Sequence, residues 1–129
     1  MPKTEVVFYK EQKGGSPVVE WLKSLRKIDA IAWANCVARI QLLAEAGHEL
    51  RRPAADLLRD GIYELRAKHH KVQYRILYFF HGKNVAILAH AITKKDVVPA
   101  IDIDRAVQRM KSFKTNPSDH TYEEESKHG

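Results

Sequence analysis

The sequence predicts an α+β protein, because its helical and strand segments are grouped rather than alternating. Residues 60–95 contain three runs of β-branched and aromatic residues separated by short polar turns, which is the pattern of consecutive strands. Two segments with helical periodicity precede these strands and one follows them. This grouping predicts a helical hairpin and a C-terminal helix packed on a small antiparallel sheet, in the order β-α-α-β-β-β-α.

The first half of the chain supplies one strand and the helical hairpin. Residues 4–9 are rich in β-branched and aromatic residues, and we expect this strand to join the sheet from outside the three-strand unit. Ser16-Pro17 predicts the start of the first helix, since serine caps free N–H groups and proline needs none at the first position. Asp29 is expected to cap the second helix and Gly47 to end it. Residues 54–59 are expected to form at most one or two helical turns.

The second half supplies the three strands and the last helix. The strands are predicted at Ile62–Ala67, Val72–Phe80 and Val85–Thr93. Pro99 is expected to open the third helix, whose first turn is acidic, as the helix dipole favours. We expect the helices to pack on one face of the sheet, which leaves the other face open.

The length and composition bound the organisation of the chain. With 129 residues and 44% hydrophobic content, the chain can form one modest core. We expect one domain over residues 1–113 and a disordered polar tail over residues 114–129. The chain lacks a long apolar stretch and an apolar signal region, and Cys36 is the single cysteine, so we expect a cytoplasmic protein in which Cys36 packs inertly.

Polar residues on the predicted open face suggest a functional site. Because side chains alternate across a strand, Glu64 and Arg66 point away from the face that holds Leu65. Arg75 interrupts the apolar run of the next strand. A buried arginine is costly unless it pairs with a carboxylate, and otherwise it must face solvent and a ligand. Glu64 is the nearest candidate partner of Arg75.

The distribution of charge predicts a polyanionic partner. The formal net charge is +6, and residues 51–95 alone hold ten Lys/Arg against three Asp/Glu. Such a concentration is typical of a surface that faces nucleic acid, although a basic face that serves only solubility is the alternative. Lys94 and Lys95 follow the last strand, within reach of the open face.

Three motifs carry a resemblance to a known family. The sequences GIYELR, YRILYFF and HAITKK occur in this order after a helix that begins with Ser-Pro. Over roughly residues 6–110, the chain resembles the phage-derived Gp49-like branch of the RelE/HigB toxin superfamily. The resemblance implies a RelE-like fold and a metal-free, cofactor-free endoribonuclease that cleaves mRNA, usually on the ribosome. It also implies silencing by a helix-turn-helix, HigA-like antitoxin.

The resemblance also implies roles for individual residues. Arg75, in its Tyr-Arg pair, matches the arginine that contacts phosphate in the superfamily. Lys94 and Lys95 match the basic pair after the last strand, and Arg66 matches the basic residue that ends the preceding strand. The chain departs from the best-studied members at Glu64, where some have lysine, and it has no tyrosine after the last strand within the matched region.

The chemistry of metal-free RNA cleavage gives these residues alternative roles. It needs a base for the 2′-hydroxyl proton, cations for the phosphorane and an acid for the 5′-oxygen. Lys94 or Lys95 is either the acid or a phosphate contact. Glu64 is either the base or a group that orients the arginines, and the orienting role is favoured if the arginines lower its pKa. His90 is a possible base, although a hydrogen-bonded core residue is the commoner role at such a position. Further RNA contacts are predicted at Arg51, Arg52, Lys68 and Lys71.

Two other function classes remain open at this point. A non-catalytic module that binds RNA or an antitoxin would need only the fold and the basic face. A small DNA-binding transcription factor is less well supported, since no predicted helix is both basic and suited to a major groove. No histidine or cysteine spacing is typical of a metal site, so we expect no metal.

Overall fold

The computed structural model describes residues 3–94 and 97–123, with the backbone alone for Lys94. The strands are β1 (Glu5–Phe8), β2 (Ala55–Arg59), β3 (Ile62–His69), β4 (Val72–His81) and β5 (Val85–Lys94). The helices are α1 (Pro17–Ile28), α2 (Ala30–Ala46) and α3 (Ala100–Thr115). Short 3₁₀ turns follow α2 at Gly47–Glu49 and α3 at Pro117–His120. The predicted α+β class is confirmed.

The five strands form one sheet in the order β1-β5-β4-β3-β2. β2 to β5 form an antiparallel meander, and β1 joins its outer edge parallel to β5, so the sheet is mixed rather than wholly antiparallel. The position of β1 outside the three-strand unit is confirmed. β2 corrects the expectation of helical turns over residues 54–59. The segment Ala-Asp-Leu-Leu-Arg has no strong strand composition, and it becomes a strand because it pairs with β3 from Ala55 opposite Leu65.

The helices cover both faces of the sheet. α1 and α2 pack on the face that carries Leu65, Ile76 and Leu88, which we call the hairpin face. α3 packs on the opposite face, which we call the α3 face, against Ile62 and Phe79. The expectation that all three helices share one face was therefore wrong. Apolar residues on both faces of β4 and β5 require cover on both sides, and the hairpin supplies only one.

A β-bulge in β5 sets which side chains face α3. Leu77 lies opposite His90, whereas the next residue, Tyr78, lies opposite Leu88, so Ala89 is an extra residue. Ala89 and His90 consequently both lie on the α3 side of the strand. Beyond the bulge, Ile92 lies opposite Arg75.

The helix ends form as the sequence predicts. The Ser16 hydroxyl accepts the N–H of Val19 at 3.4 Å, and the Asp29 carboxylate accepts the N–H of Ala32 at 3.0 Å. Gly47 ends α2 with a φ of 55°, a conformation that favours glycine. Its Cα also lies against Thr4, whose side chain would collide with any Cβ at this position.

The segment after α3 differs from the expected disordered tail over residues 114–123. α3 continues to Thr115, and Thr121 forms a bridge with Tyr9 beside β1. His120 stacks on Tyr9 with ring centroids 5.1 Å apart and bonds to the Lys10 carbonyl at 2.8 Å. The low apolar content of the segment hid these ring and backbone contacts. Residues 124–129 of the predicted tail lie outside the described part of the chain.

Candidate nucleic-acid interface

Only part of the α3 face is covered by α3. The apolar rows through Ile62 and Phe79 lie under the helix, whereas the far ends of the strands carry polar residues on this face. Five described residues make up this region, which we call the polar end: Asp56, Glu64, Arg66, Gln73 and Arg75. Their strands place them in rows, with Asp56 opposite Glu64 on one side and Arg66 opposite Arg75 on the other.

Arg75 and Glu64 form a buried ion pair. The Arg75 Nε lies 3.3 Å from Glu64 Oε1, a contact that is electrostatic and falls outside hydrogen-bond geometry. Only 7% of the Arg75 side chain and 8% of the Glu64 side chain are exposed. The Arg75 Nη2 also donates to Gln73 Oε1 at 2.8 Å. Glu64 and Gln73 thus fix the orientation of the guanidinium from two neighbouring strands.

The pKa of Glu64 is raised, in contrast to the expectation from its basic neighbours. Burial of the carboxylate is the largest cause, and it outweighs the opposing effect of Arg75 and the smaller one of Arg66. The sequence argument counted the charges around Glu64 and omitted the loss of water. A carboxylate with a raised pKa is a stronger base than an ordinary one, so the base role gains support relative to the orienting role.

The other predicted arginines of this region differ in their partners. Arg66 is half-buried and, among the described residues, has no hydrogen bond or ion pair through its side chain. Arg52 pairs with Asp56 at 2.7 Å, which offsets part of its charge. Arg51 donates to the carbonyls of His48 and Leu50 and lies at the exposed turn before β2.

The predicted lysines gather at the same end of the sheet as far as the structure describes them. Lys68 is exposed near the end of β3, and Lys71 is exposed in the turn to β4. The backbone of Lys94 lies opposite Gln73, which in turn lies opposite Lys68, so these positions form one row across three strands. The side chain of Lys94 and all of Lys95 lie outside the described part of the chain.

His90 belongs to a network that docks α3. Its Nε2 lies 2.7 Å from Asp102 Oδ1 and its Nδ1 lies 3.1 Å from the Arg109 Nη1. Because Arg109 can only donate, Nδ1 accepts, and the ring proton sits on Nε2. Burial lowers the pKa of His90 despite the hydrogen bond to Asp102. With both ring nitrogens engaged, His90 is less well placed than Glu64 to act as a base.

Gln73 and Asp56 are members of the polar end that the sequence argument missed. Gln73 has the same strand parity as Arg75, and the alternation of side chains alone predicts that the two share a face. Asp56 gave no such signal because its segment was not recognised as a strand. Arg109 was also missed, since helical periodicity cannot show which residue of the preceding strand it meets.

The remaining chemistry-bearing side chains have packing or capping contacts. Cys36 is buried, and burial raises the pKa of its thiol to about 12. His69 bonds through Nδ1 to the Asp29 carboxylate at 2.9 Å, which links the end of β3 to the start of α2. Within residues 3–94 and 97–123, no three His, Cys, Asp or Glu side chains group as metal ligands. No helix of the described chain is both long and apolar enough to cross a membrane.

Comparison with known proteins identifies the family of this chain. The model of the phage-derived Gp49-like protein family matches residues 21–111, from α1 to most of α3. The chain belongs to this family. The match includes the whole polar end, all of α2 and most of α1 and α3. No curated protein matched the chain.

The Gp49-like family belongs to the RelE/HigB-like toxin superfamily. Membership indicates a toxin of a toxin–antitoxin system and an antitoxin as its partner. It is also consistent with a nuclease of the toxin type. The resemblance given by the three sequence motifs is thereby confirmed.

Proposed function

We propose that this protein is the toxin of a type II toxin–antitoxin system and cleaves mRNA, on the ribosome, at the polar end of its sheet. The observation that carries the proposal is the Arg75–Glu64 pair, in which a buried carboxylate with a raised pKa lies beside cations. This combination supplies a base and charge stabilisation at one place. The antitoxin is proposed to be a HigA-like helix-turn-helix protein, and the site of action is the cytoplasm.

The proposed reaction uses the residues in separate roles. Glu64 takes the proton of the 2′-hydroxyl, which attacks the adjacent phosphorus. Arg75 and Arg66 offset the charge that develops on the phosphorane, since a guanidinium can bind two oxygens at once. Lys94 or Lys95 protonates the departing 5′-oxygen.

Burial shapes how a substrate would meet this site. Arg66 and Gln73 are half-exposed, so RNA contacts them first, whereas the Arg75–Glu64 pair lies beneath. A charge contact in such a water-poor place is stronger than the same contact at the surface. The order of exposure therefore assigns binding mainly to Arg66 and transition-state stabilisation mainly to Arg75.

One observation favours a second candidate function. An arginine whose side chain is 7% exposed and already paired resembles a structural ion pair, which a non-catalytic relative would also keep. The alternative is a module that binds RNA or its antitoxin through the basic end without cleavage. The two functions differ in whether Arg75 and Glu64 matter beyond folding.

The test is a growth and cleavage assay with a pH–rate profile. We expect induction of the protein alone to halt growth and shorten mRNAs, and co-expression of its antitoxin to restore growth. Cleavage by the parent protein should rise with pH as Glu64 ionises, and Glu64→Gln should lose that rise. Chelation of the protein before it meets the ribosomes should leave cleavage unchanged, since the described residues offer no ligand cluster.

Two outcomes would count against cleavage. If induction changes neither growth nor mRNA length, the binding module is the better description. If folded Glu64→Gln keeps the parent pH profile, Glu64 is not the base, and the role passes to another group.

A further inference from the structure

A basic groove lies between α2 and the end of β3. The pairing of β2 with β3 stops at Ala55, and the N–H of Arg66 makes the last cross-strand bond, to Ala54. Beyond this point the edge of β3 is open and borders a groove of about 180 Å³. The groove is lined by Arg39, Pro53, Arg66, Ala67, Lys68 and Gln73.

The residues that line this groove carry a net positive charge. Arg39 comes from α2, and Arg66 and Lys68 come from β3, while no acidic residue lines the groove. In the described chain, none of these three cationic groups forms a hydrogen bond or an ion pair, whereas Arg52 and Arg109 each pair with a carboxylate. Arg66 also acts electrostatically on Glu64 and Asp56, so Arg39 and Lys68 are the cations of the groove that most favour the binding of an external anion.

Local contacts hold the segment of α2 that carries Arg39 against β3. Asn35 lies one helical turn before Arg39 on the same side of α2, and its side-chain amide donates to the Lys68 carbonyl at 3.0 Å. Close by, Asp29 holds His69 at 2.9 Å. These two contacts set the spacing between α2 and β3, so Arg39 lines the same groove as Arg66 and Lys68.

The size and position of the groove indicate which anion fits. Its volume equals that of roughly six water molecules at about 30 Å³ each. Such a volume accommodates a phosphate group. Gln73 lines the groove and also accepts the hydrogen bond from Arg75, so the groove opens directly onto the polar end.

We propose that this groove is a second subsite for RNA and binds a phosphate next to the one that lies at the polar end. The inference rests on the proposed function and extends the substrate contact from the sheet to α2. Arg39 and Lys68 hold the neighbouring phosphate, and Arg66 lies between the two subsites. The strand is thereby held on one side of the reacting bond.

The first experiment measures binding and cleavage by matched variants. The probe is a short single-stranded RNA with one 2′-hydroxyl removed to block cleavage, and its affinity is followed by fluorescence anisotropy over a range of salt. Arg39→Gln and Lys68→Gln should each weaken binding about tenfold at low salt and lower the log–log salt slope by about 0.7. Lys27→Gln, an exposed position in the last turn of α1, removes the same charge and should have little effect.

The second experiment locates the phosphate. Replacing one phosphate of the probe at a time by an uncharged methylphosphonate should weaken binding to the parent at the position that the groove holds. In Arg39→Gln, the methylphosphonate at that position should cause no further loss of affinity, because the contact is already absent. In Lys27→Gln, it should weaken binding as much as it does in the parent. In the cleavage assay, Arg39→Gln should raise KM about tenfold, because the groove contact is made equally before and during the reaction, whereas Lys27→Gln should keep the KM of the parent.

The outcomes separate this inference from the proposed function. If the parent binds and cleaves RNA but Arg39→Gln behaves like Lys27→Gln at every position, the groove is not a subsite and the proposed function stands. If the parent does not bind RNA at all, both are overturned. Loss of affinity for a double-stranded DNA probe of equal size in the same variants would show a general anion surface and would also overturn the RNA subsite.

Discussion

Replacing the Arg75–Glu64 pair by apolar residues should separate stability from activity. The double variant Glu64→Leu/Arg75→Met removes both charges from a place where the two side chains are 8% and 7% exposed. Replacement of a buried ion pair by apolar residues of similar volume is commonly neutral or stabilising by about 1–4 kcal/mol, since neither charge has to be desolvated. We therefore expect the double variant to melt at or above the parent temperature.

Each single variant should behave differently. Glu64→Leu or Arg75→Met removes one partner of a buried ion pair, which costs about 3–5 kcal/mol. For a chain of this size, about 4 °C per kcal/mol converts this into a fall in melting temperature of roughly 12–20 °C. Cleavage should fall by ~10²-fold or more in all three variants, because each lacks the charge stabilisation of Arg75 or the base Glu64.

The pH dependence provides an internal check. The pKa of Glu64 is raised in the folded state, so the folded protein holds this proton more tightly than the unfolded chain. The parent therefore loses the contribution of Glu64 as the pH rises through the folded pKa, and the double variant does not. In thermal melts from about pH 4 upward, the melting temperature of the double variant should rise relative to that of the parent.

Two results of the melts and cleavage assays would contradict this reasoning about the ion pair. If the double variant is clearly less stable than the parent, the two side chains together are net stabilisers and their retention needs no functional reason. If the double variant is stable and still cleaves mRNA at the parent rate, the active site lies elsewhere.

Three further predictions concern the supporting fold. Gly47→Ala should lower the free energy of unfolding by about 2 kcal/mol, because a positive φ is strained for alanine and the new Cβ would meet Thr4. Gly82→Ala, with a φ of 69° but open space around the new Cβ, should lower it by only about 1 kcal/mol. Urea unfolding measures both values. Because the pKa of His90 is lowered in the folded state, its contribution to stability is present above about pH 6.5 and is lost as the pH falls. The difference in melting temperature between His90→Gln and the parent should therefore be smaller at about pH 5.5 than at about pH 7.5. An equal difference at the two pH values would contradict this. His120→Ala should lower stability by about 1–2 kcal/mol through loss of its ring stack and carbonyl contact, and an unchanged melting temperature would mean that the segment after α3 adds nothing.

Local patterns predicted the elements whose structure is decided locally. Ser16, Asp29 and Gly47 act within one turn of their own position, so their capping roles were visible in the sequence. The three strands of the meander carry strong β-branched and aromatic signals and were also predicted. β2 has a weak signal of its own, and its conformation depends on a partner strand that the sequence does not show.

Long-range geometry decided the features that the sequence could not give. The rise in the pKa of Glu64 depends on how much water the surrounding chain removes, and neighbouring charges alone predicted the opposite direction. The order of the segment around His120 depends on Tyr9, more than a hundred positions earlier in the chain. Arg39 was overlooked for the same reason, because only the docking of α2 shows that it lines the same groove as Lys68.

The extra residue Ala89 in β5 has a consequence for how such a protein can vary between generations. Without that single residue, Leu88 and His90 would be adjacent, as Tyr78 and Leu77 are in β4, and His90 and Ile92 would stay on the α3 side of a regular ladder. A one-residue insertion between His90 and Ile92 would instead turn Ile92 toward the hairpin face. Comparison of natural variants should therefore show that Ala89 can be lost from this strand, whereas a single residue is not gained after His90.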